Sequence, residues 1–117
     1  MAAYDPDNTF AKILRGEIPC KKVYEDAHVL AFEDIHPAAP VHVLVLPKEP
    51  YVSFDDFCTH AAPETVAAFF ASVRKVAEKL GLTGYRLITN QGAEAGQSVF
   101  HFHVHIISGR PLGKLLP

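Results

Sequence analysis

The chain has 117 residues and only two cysteines, Cys20 and Cys58. Two isolated cysteines are too few for a disulfide framework or a four-cysteine zinc site, so we expect free thiols in a reducing cytosol. The sequence also contains no apolar run near the roughly 20 residues that a membrane-spanning helix requires. Its first residues lack the basic and apolar regions of a signal peptide. These absences predict a cytoplasmic protein without a membrane partner.

An excess of charge of either sign is absent as well. Eleven basic and 13 acidic residues give a net charge of −2 with the histidines neutral. Nucleic acids and anionic membranes favour basic surfaces, so the composition predicts neither partner. Hydrophobic residues make up 49% and charged residues 21%, which is typical of a globular protein and argues against disorder. The length predicts one domain spanning residues 1–117.

The spacing of apolar residues predicts two helices and five strands. A short helix ends at Gly16, and a long helix begins at Pro63 and ends at Gly81. Segment 50–62 is predicted to be irregular. The β-rich segments are 22–25, 29–33, 41–46, 85–90 and 100–108. Strands and helices in this order, with short connections, predict an α+β fold with an antiparallel sheet.

Histidine is concentrated near the end of the chain, where His101, His103 and His105 alternate with apolar residues. Side chains alternate between the two faces of a β-strand, so this spacing predicts that the three imidazoles share one face. A row of imidazoles packs poorly, whereas imidazole can serve as a nucleophile, an acid–base group or a metal ligand. The segment is therefore predicted to carry the chemistry of the protein.

A glycine-bearing loop precedes the histidines and contains Gly92, Gly96, Gln97 and Ser98. Glycine lets a backbone approach a ligand closely and the polar side chains offer donors, so the loop suits an anionic substrate, although a polar hairpin connection looks similar. A zinc site with three histidine ligands is an alternative. It is the weaker alternative because no acidic residue or cysteine lies nearby in the sequence and the loop would have no role.

With their flanks, these residues resemble a known family. Segment 96–107, GQSVFHFHVHII, is similar to the His-φ-His-φ-His-φ-φ motif of the histidine triad (HIT) superfamily, where φ is apolar. The similarity is closest to the Hint branch, the histidine triad nucleotide-binding proteins, and extends over nearly the whole chain. The other similar segments are 10–13, 16–19, 31–42, 85–90 and 108–110.

The resemblance implies the HIT-like fold, a five-stranded antiparallel sheet with one long and one short helix. It also implies a homodimer in which two subunits form a ten-stranded sheet. The implied reaction is hydrolysis of purine nucleoside 5′-phosphoramidates, typically of adenosine, to the nucleoside monophosphate and an amine, without metal or cofactor. Two departures affect only the leaving-group preference: Tyr51 stands where many Hint proteins have histidine, and the chain has no tryptophan-containing tail.

By the same resemblance, His103 is the nucleophile and forms a covalent nucleotidyl-histidine. His105 is implied to contact the phosphate or act as general acid, with Ser98 relaying a proton. His42 is implied to support His101, and these two histidines orient the pocket. The implied nucleotide-binding residues are Phe10, Ile18, Phe32 and Ile35 around the base, Asp34 at the ribose, and Asn90, Gly96, Gln97, Ser98, His103 and His105 around the phosphate and leaving group.

Each of these assignments has an alternative. The apolar residues could be ordinary core, Asp34 could form a turn, and His42 could be a hydrogen-bonded core histidine. Two rival functions share the motif: nucleotide binding without turnover, and hydrolysis of dinucleoside polyphosphates. The complete triad with Ser98 favours an enzyme, and the short chain with segment 108–110 favours the Hint branch.

Overall fold

Five strands and three α-helices make up the part of the chain that the structure, a computed structural model, describes, residues 3–115. A 3₁₀ turn at Ala93–Ala95 lies between the last two strands. The elements in chain order are α1 (Thr9–Leu14), β1 (Lys22–Glu25), β2 (Val29–Glu33), β3 (Val41–Pro47), α2 (Phe54–His60), α3 (Pro63–Lys79), β4 (Arg86–Ile88) and β5 (Val104–Ser108). No helix within residues 3–115 is long and apolar enough to cross a membrane.

The strands form one antiparallel sheet in the order β1-β2-β3-β5-β4. The predicted α+β class and five-stranded antiparallel sheet are confirmed. In the register of β3 and β5, Leu44 lies opposite His105 and His42 lies opposite Ile107. Residues two apart share a face, so His42 and His105 are diagonal neighbours on the same face of the sheet. This register brings together two histidines that are 63 positions apart in the chain.

Both faces of the sheet are apolar, which explains why β2 and β3 are nearly continuous hydrophobic runs. One face packs against α2 and α3 and forms the larger core. That core consists of Val29, Ala31, Val43, Val45, Phe57, Phe69, Val73, Val76, Phe102, Val104 and Ile106. The other face carries a smaller cluster of Phe10, Leu30, Phe32, Leu44 and Leu46, against which α1 packs. His42 and His105 lie on this second face, because they alternate with core residues of the first.

Helix α2 corrects two expectations: residues 54–60 of segment 50–62 are helical rather than irregular, and the fold has two short helices rather than one. Ser53 caps the helix, accepting a hydrogen bond from the backbone N–H of Asp56 at 3.4 Å. The Asp56 carboxylate accepts one from Val52 N at 2.7 Å and contacts His60 Nδ1 at 2.7 Å. Only Phe57 of the helix is buried, so the segment lacks the apolar periodicity on which the prediction relied.

The last strand is shorter than predicted, since β5 begins at Val104 rather than at residue 100. Before it, the backbone N–H of Phe102 donates to the carbonyl of Tyr51 at 2.7 Å, and the carbonyl of His103 accepts from Thr89 Oγ1 at 2.8 Å. These bonds stand in place of strand-ladder bonds at Phe102 and His103, and residues 101–103 lie outside the strand. The prediction that a single strand presents all three imidazoles on one face is therefore wrong.

The turn between β1 and β2 is held by the carboxylate of Asp26. One oxygen accepts from the backbone N–H groups of His28 and Val29, at 2.7 and 2.9 Å. The other accepts from the hydroxyls of Tyr24 and Ser72, at 2.9 and 3.1 Å. Partial burial raises the pKa of Asp26, but these hydrogen bonds outweigh it and leave the pKa below its usual value. Because Ser72 belongs to α3, this carboxylate ties the hairpin to the long helix.

Candidate active site

A cavity of about 330 Å³ opens on the face of the sheet that carries α1. It is lined by Thr9, Phe10, Ile13, Ile18, Pro19, Cys20, Phe32, Glu33, Asp34, Ile35, His36, Leu44, Ser98, Val99, His103 and His105. A second groove of about 580 Å³ is also lined by His42, and it shares five lining residues with the first: Pro19, Cys20, Glu33, Asp34 and Ile35. The larger groove contains neither His103 nor His105, so we place the chemistry in the smaller cavity.

His103 presents an unprotonated nitrogen to this cavity. Its Nδ1 lies 2.6 Å from the carbonyl oxygen of His101. A carbonyl only accepts, so Nδ1 carries the ring proton and the lone pair of the neutral ring is on Nε2. No hydrogen-bond partner faces His103 Nε2. Within the described residues every buried side-chain nitrogen or oxygen has a partner, so Nε2 is not buried and is accessible from the cavity. The Phe10 ring packs edge-on against His103, with centroids 4.9 Å apart, and holds its plane.

His105 presents the opposite group, an N–H. The chain of bonds begins at Ala38, whose backbone N–H donates to His42 Nδ1 at 2.9 Å. The proton of neutral His42 is therefore on Nε2, which lies 2.8 Å from His105 Nδ1 and donates to it. Since His105 Nδ1 accepts, its proton is on Nε2. The His103 and His105 rings lie 5.1 Å apart, so a lone pair and a donor are adjacent in the cavity.

His101 lies behind the cavity and is fully buried. Its Nε2 donates to the carbonyl of Pro47 at 2.7 Å, and its Nδ1 accepts from the hydroxyl of Tyr4 at 2.6 Å. The expectation that His42 supports His101 is wrong, because His42 bonds to His105 instead. His101 acts on the site through its backbone carbonyl, which accepts the Nδ1 proton of His103.

Burial keeps the three histidines neutral. It lowers the pKa of His101 to about 4, against the opposing effect of the bond to Pro47. It lowers the pKa of His103 as well, although the bond to the His101 carbonyl and the charge of Asp34 act in the other direction. Burial and then the charges of His103 and His42 lower the pKa of His105 to about 4. Near neutral pH the neutral forms of His101, His103 and His105 are therefore the relevant states.

A possible metal-binding set is present at Asp34, His42 and His105, whose donor atoms lie within 4.8 Å of one another. The sequence offered no acidic residue near the histidines, but folding places Asp34 Oδ2 3.4 Å from His42 Nε2. A histidine and carboxylate set of this kind suits zinc. However, ligation through His42 Nε2 would move the ring proton to Nδ1, against the N–H of Ala38. The observed hydrogen bonds thus favour the histidine network over metal ligation.

The glycine-bearing loop shapes the cavity but contributes few atoms to it. The Gln97 amide accepts from Gly92 N at 2.9 Å and donates to the carbonyls of Val52 and Val99, at 2.8 and 3.2 Å. Asn90 Nδ2 donates to the carbonyl of Ala95 at 2.8 Å. The side chains of Gln97 and Asn90 therefore hold the loop rather than face the cavity.

The structure brings together most of the residues singled out in the sequence. Those that line the cavity are Phe10, Ile18, Phe32, Asp34, Ile35, Ser98, His103 and His105. His42 and His101 contact this group from behind, whereas Asn90, Gly96 and Gln97 lie outside the lining. Phe10 and Phe32 belong both to the buried core and to the cavity wall.

Sequence reasoning missed Ile13, Leu44 and Val99 in the lining, and Tyr4 behind it. Ile13 and Leu44 lie in segments whose apolar spacing predicts a helix and a strand, and that spacing does not distinguish a cavity wall from the core. Tyr4 had none, because its partner His101 is 97 positions away.

Comparison with known proteins places this arrangement in a family. The sequence profile of the HIT domain matches residues 15–112. The chain belongs to the HIT domain family. A HIT-like protein of Azospirillum brasilense is 51% identical over 115 residues, covering 97% of this chain and 94% of that protein. A HIT-like protein of Rickettsia prowazekii is 46% identical over 115 residues, with coverage of 97% and 96%.

Solved HIT structures share the fold. A HIT family hydrolase from Clostridium thermocellum superposes with a TM-score of 0.86 at 42% identity, covering 95% of this chain and 97% of that one. A histidine triad nucleotide-binding protein from Candida albicans superposes with a TM-score of 0.76 at 32% identity, covering 86% and 73%. The five-stranded antiparallel sheet is thus the HIT fold.

Proposed function

We propose that this HIT protein belongs to the Hint branch and hydrolyses purine nucleoside 5′-phosphoramidates, with adenosine the typical nucleoside. One observation carries the proposal: neutral His103 and His105 face one cavity with opposite groups, a lone pair and an N–H. A nucleophile beside a donor for phosphate oxygens is what displacement at phosphorus requires. Relatives named as a HIT family hydrolase and a histidine triad nucleotide-binding protein support an enzyme acting on nucleotides.

The cavity suits a nucleoside. Its apolar side chains offer contact to the faces of a base, with Phe10 and Phe32 buried and Ile35 85% exposed at the surface. The carboxylate of Asp34 accepts from the backbone N–H of His36 at 2.8 Å and keeps lone pairs for ribose hydroxyls. We assign the base to the apolar wall, the ribose to Asp34, and the phosphate to His103, His105 and Ser98.

In the first step, His103 Nε2 attacks the α-phosphorus, a bond forms between them, and the bond from phosphorus to the leaving nitrogen breaks. His105 Nε2–H donates to the phosphate oxygens and stabilises the developing charge. His42 occupies His105 Nδ1, so His105 has no ready position for a second proton. We therefore assign the proton for the leaving nitrogen to the exposed Ser98 hydroxyl, which takes a replacement from solvent.

In the second step, water attacks the same phosphorus, the bond to His103 Nε2 breaks, and the nucleoside monophosphate leaves. Water releases one proton to solvent, which balances the proton that the leaving amine acquired. Splitting the displacement into two steps lets the same groups act twice. The residues so used need no resident metal or cofactor.

The test is release of AMP and ammonia from adenosine 5′-phosphoramidate by the purified protein, with and without a strong chelator. We expect turnover in both conditions, a nucleotidyl adduct on His103 in mass spectra of quenched reactions, and loss of activity by about 10³-fold or more in His103→Ala. His28→Ala, which changes an exposed histidine outside the cavity, is the matched control.

Three results would contradict the proposal. His103→Ala turning over near the wild-type rate would exclude the assigned nucleophile. Loss of activity with the chelator would favour metal-dependent catalysis. Tight AMP binding without turnover would favour a nucleotide-binding role, and faster cleavage of a dinucleoside polyphosphate would place the protein in another HIT branch.

A further inference from the structure

Tyr4 contacts the histidine cluster from a part of the chain that the family motif does not include. Its hydroxyl lies 2.6 Å from His101 Nδ1, and the two rings meet edge-on with centroids 5.6 Å apart. Because His101 Nε2 donates to Pro47, Nδ1 is an acceptor and the Tyr4 hydroxyl must be the donor. Tyr4 thus completes the hydrogen bonding of a histidine with no exposed surface.

The segment that carries Tyr4 is held in place by its own hydrogen bonds. Asn8 Nδ2 donates to the carbonyl of Asp5 at 2.8 Å, and the Asp5 carboxylate accepts from Asp7 N at 2.9 Å. Arg15 donates to the carbonyl of Pro6 at 2.6 Å. The Asn8 side chain also caps α1, so Tyr4 is anchored to the helix whose Phe10 packs against His103.

We propose that Tyr4 is a positioning residue for the nucleophile, acting through His101. The hydroxyl fixes the ring of His101, and the backbone carbonyl of that residue accepts the Nδ1 proton of His103. That bond keeps the lone pair of His103 on Nε2 and aims it into the cavity. The inference deepens the proposed function and rests on it for the role of His103.

Removal of the hydroxyl has a defined physical consequence. Nδ1 of His101 becomes a buried acceptor without a partner, which is unfavourable. Rotation of the ring that lets Nδ1 accept a hydrogen bond from water relieves this cost. Rotation releases the bond to Pro47 and moves the carbonyl that holds His103. The His103 proton then distributes between its two nitrogens, and fewer molecules present a nucleophile at Nε2.

The experiment compares Tyr4→Phe with Tyr24→Phe. Each variant loses one phenolic hydrogen bond, but Tyr24 bonds to Asp26 in the β1–β2 turn and lies outside the cavity. We expect Tyr4→Phe to lower kcat for adenosine 5′-phosphoramidate by roughly tenfold or more, since small misplacements of a reacting group are costly. KM should stay within about twofold because the assigned nucleotide contacts are intact. Tyr24→Phe should keep the wild-type kcat.

A second measurement does not depend on activity. The ¹⁵N shifts of the imidazole nitrogens report which nitrogen carries the proton. In the wild-type protein we expect protonated Nδ1 on His103 and protonated Nε2 on His101. In Tyr4→Phe we expect the ¹⁵N shifts of the two His103 nitrogens to move toward each other, as the proton is shared between them. In Tyr24→Phe we expect these shifts to stay as in the wild-type protein.

These readouts separate the two proposals. Unchanged kcat and unchanged His103 shifts in Tyr4→Phe would overturn the role of Tyr4, as would equal losses of kcat in the two variants. If the wild-type protein fails to hydrolyse the phosphoramidate but Tyr4→Phe still shifts the His103 proton, the positioning role stands and the proposed reaction fails.

Discussion

At the scale of single residues, His103 and His105 differ only in where one proton resides. Each ring has one nitrogen engaged within the protein and one open to the cavity. His103 donates to a carbonyl, which leaves a lone pair outside, and His105 accepts from His42, which leaves an N–H outside. Two identical side chains therefore acquire complementary roles from their hydrogen-bond partners alone.

The first prediction concerns the pH dependence of the rate. Protonation of His103 removes the nucleophilic lone pair, so kcat/KM should fall as the pH drops through its pKa. Burial lowers that pKa below the ordinary value of about 6.5, so the rate should be level above it and decline only in more acidic buffer. The check is a series of steady-state kcat/KM measurements from neutral pH to below the ordinary histidine pKa, at pH values where the protein remains folded. A midpoint above the ordinary histidine value would contradict the buried, neutral nucleophile.

At the scale of elements, the long helix and the central strands follow directly from the sequence. Helix α3 has a periodic apolar face, Pro63 in its first turn and Gly81 after its end at a φ of +70°. Helix α2 and the start of β5 do not follow, because capping bonds and contacts to Tyr51 decide them. Local periodicity predicts helices and strands that bury one face. It does not predict an element whose boundary is set by hydrogen bonds to side chains or to distant backbone.

The second prediction tests the Asp26 turn. Asp26→Ala removes the acceptor of four hydrogen bonds and leaves the buried Ser72 hydroxyl without one. We expect a loss of about 2–3 kcal/mol in the free energy of unfolding, measured by urea denaturation. Glu17→Ala, which removes only a solvent-exposed ion pair with Arg15, should change the free energy of unfolding far less, because solvent screens that pair. Equal effects of the two substitutions on the free energy of unfolding would show that the hydrogen bonds of Asp26 do not stabilise the fold.

At the scale of the whole molecule, the histidines couple stability to acidity. His101 and His105 have pKa values of about 4 in the folded chain, below the ordinary value of about 6.5. Between these values the unfolded chain binds protons that the folded chain does not, so stability should fall as the pH falls through this window. Each such histidine contributes a slope of up to about 1.4 kcal/mol per pH unit.

The third prediction follows from this coupling. The thermal unfolding midpoint should decrease steadily from just above pH 6 toward pH 4, and His101→Gln should show a shallower decrease than the wild-type protein. His28→Asn, at an exposed turn position, serves as the control and should keep the wild-type slope. A midpoint independent of pH in this range would contradict burial of neutral histidines.

The fourth prediction concerns assembly. We propose the homodimer implied by the resemblance, with β4 as the edge at which two sheets join. The sheet has two edge strands, β1 and β4. We choose β4 because it carries an exposed large apolar side chain, Leu87, with 48% of its surface accessible. Leu87→Asp should convert a dimer to a monomer in sedimentation or light-scattering measurements, and Leu87→Ile should remain dimeric. A wild-type monomer at micromolar concentration would remove this proposal.

The sequence by itself determined the α+β class, the long helix, the apolar strands and the segment that carries the chemistry. These follow from periodicity, from proline and glycine at helix ends, and from a motif contained within a few residues. Folding decided the proton positions of His103 and His105, the approach of Asp34 to His42, and the contact of Tyr4 with His101. The physical reason is that a tautomer depends on the hydrogen-bond partners of the ring nitrogens. The partner of His105 Nδ1 lies 63 positions away and that of His101 Nδ1 lies 97 positions away, and only the folded backbone brings the carbonyl of His101 to the ring of His103.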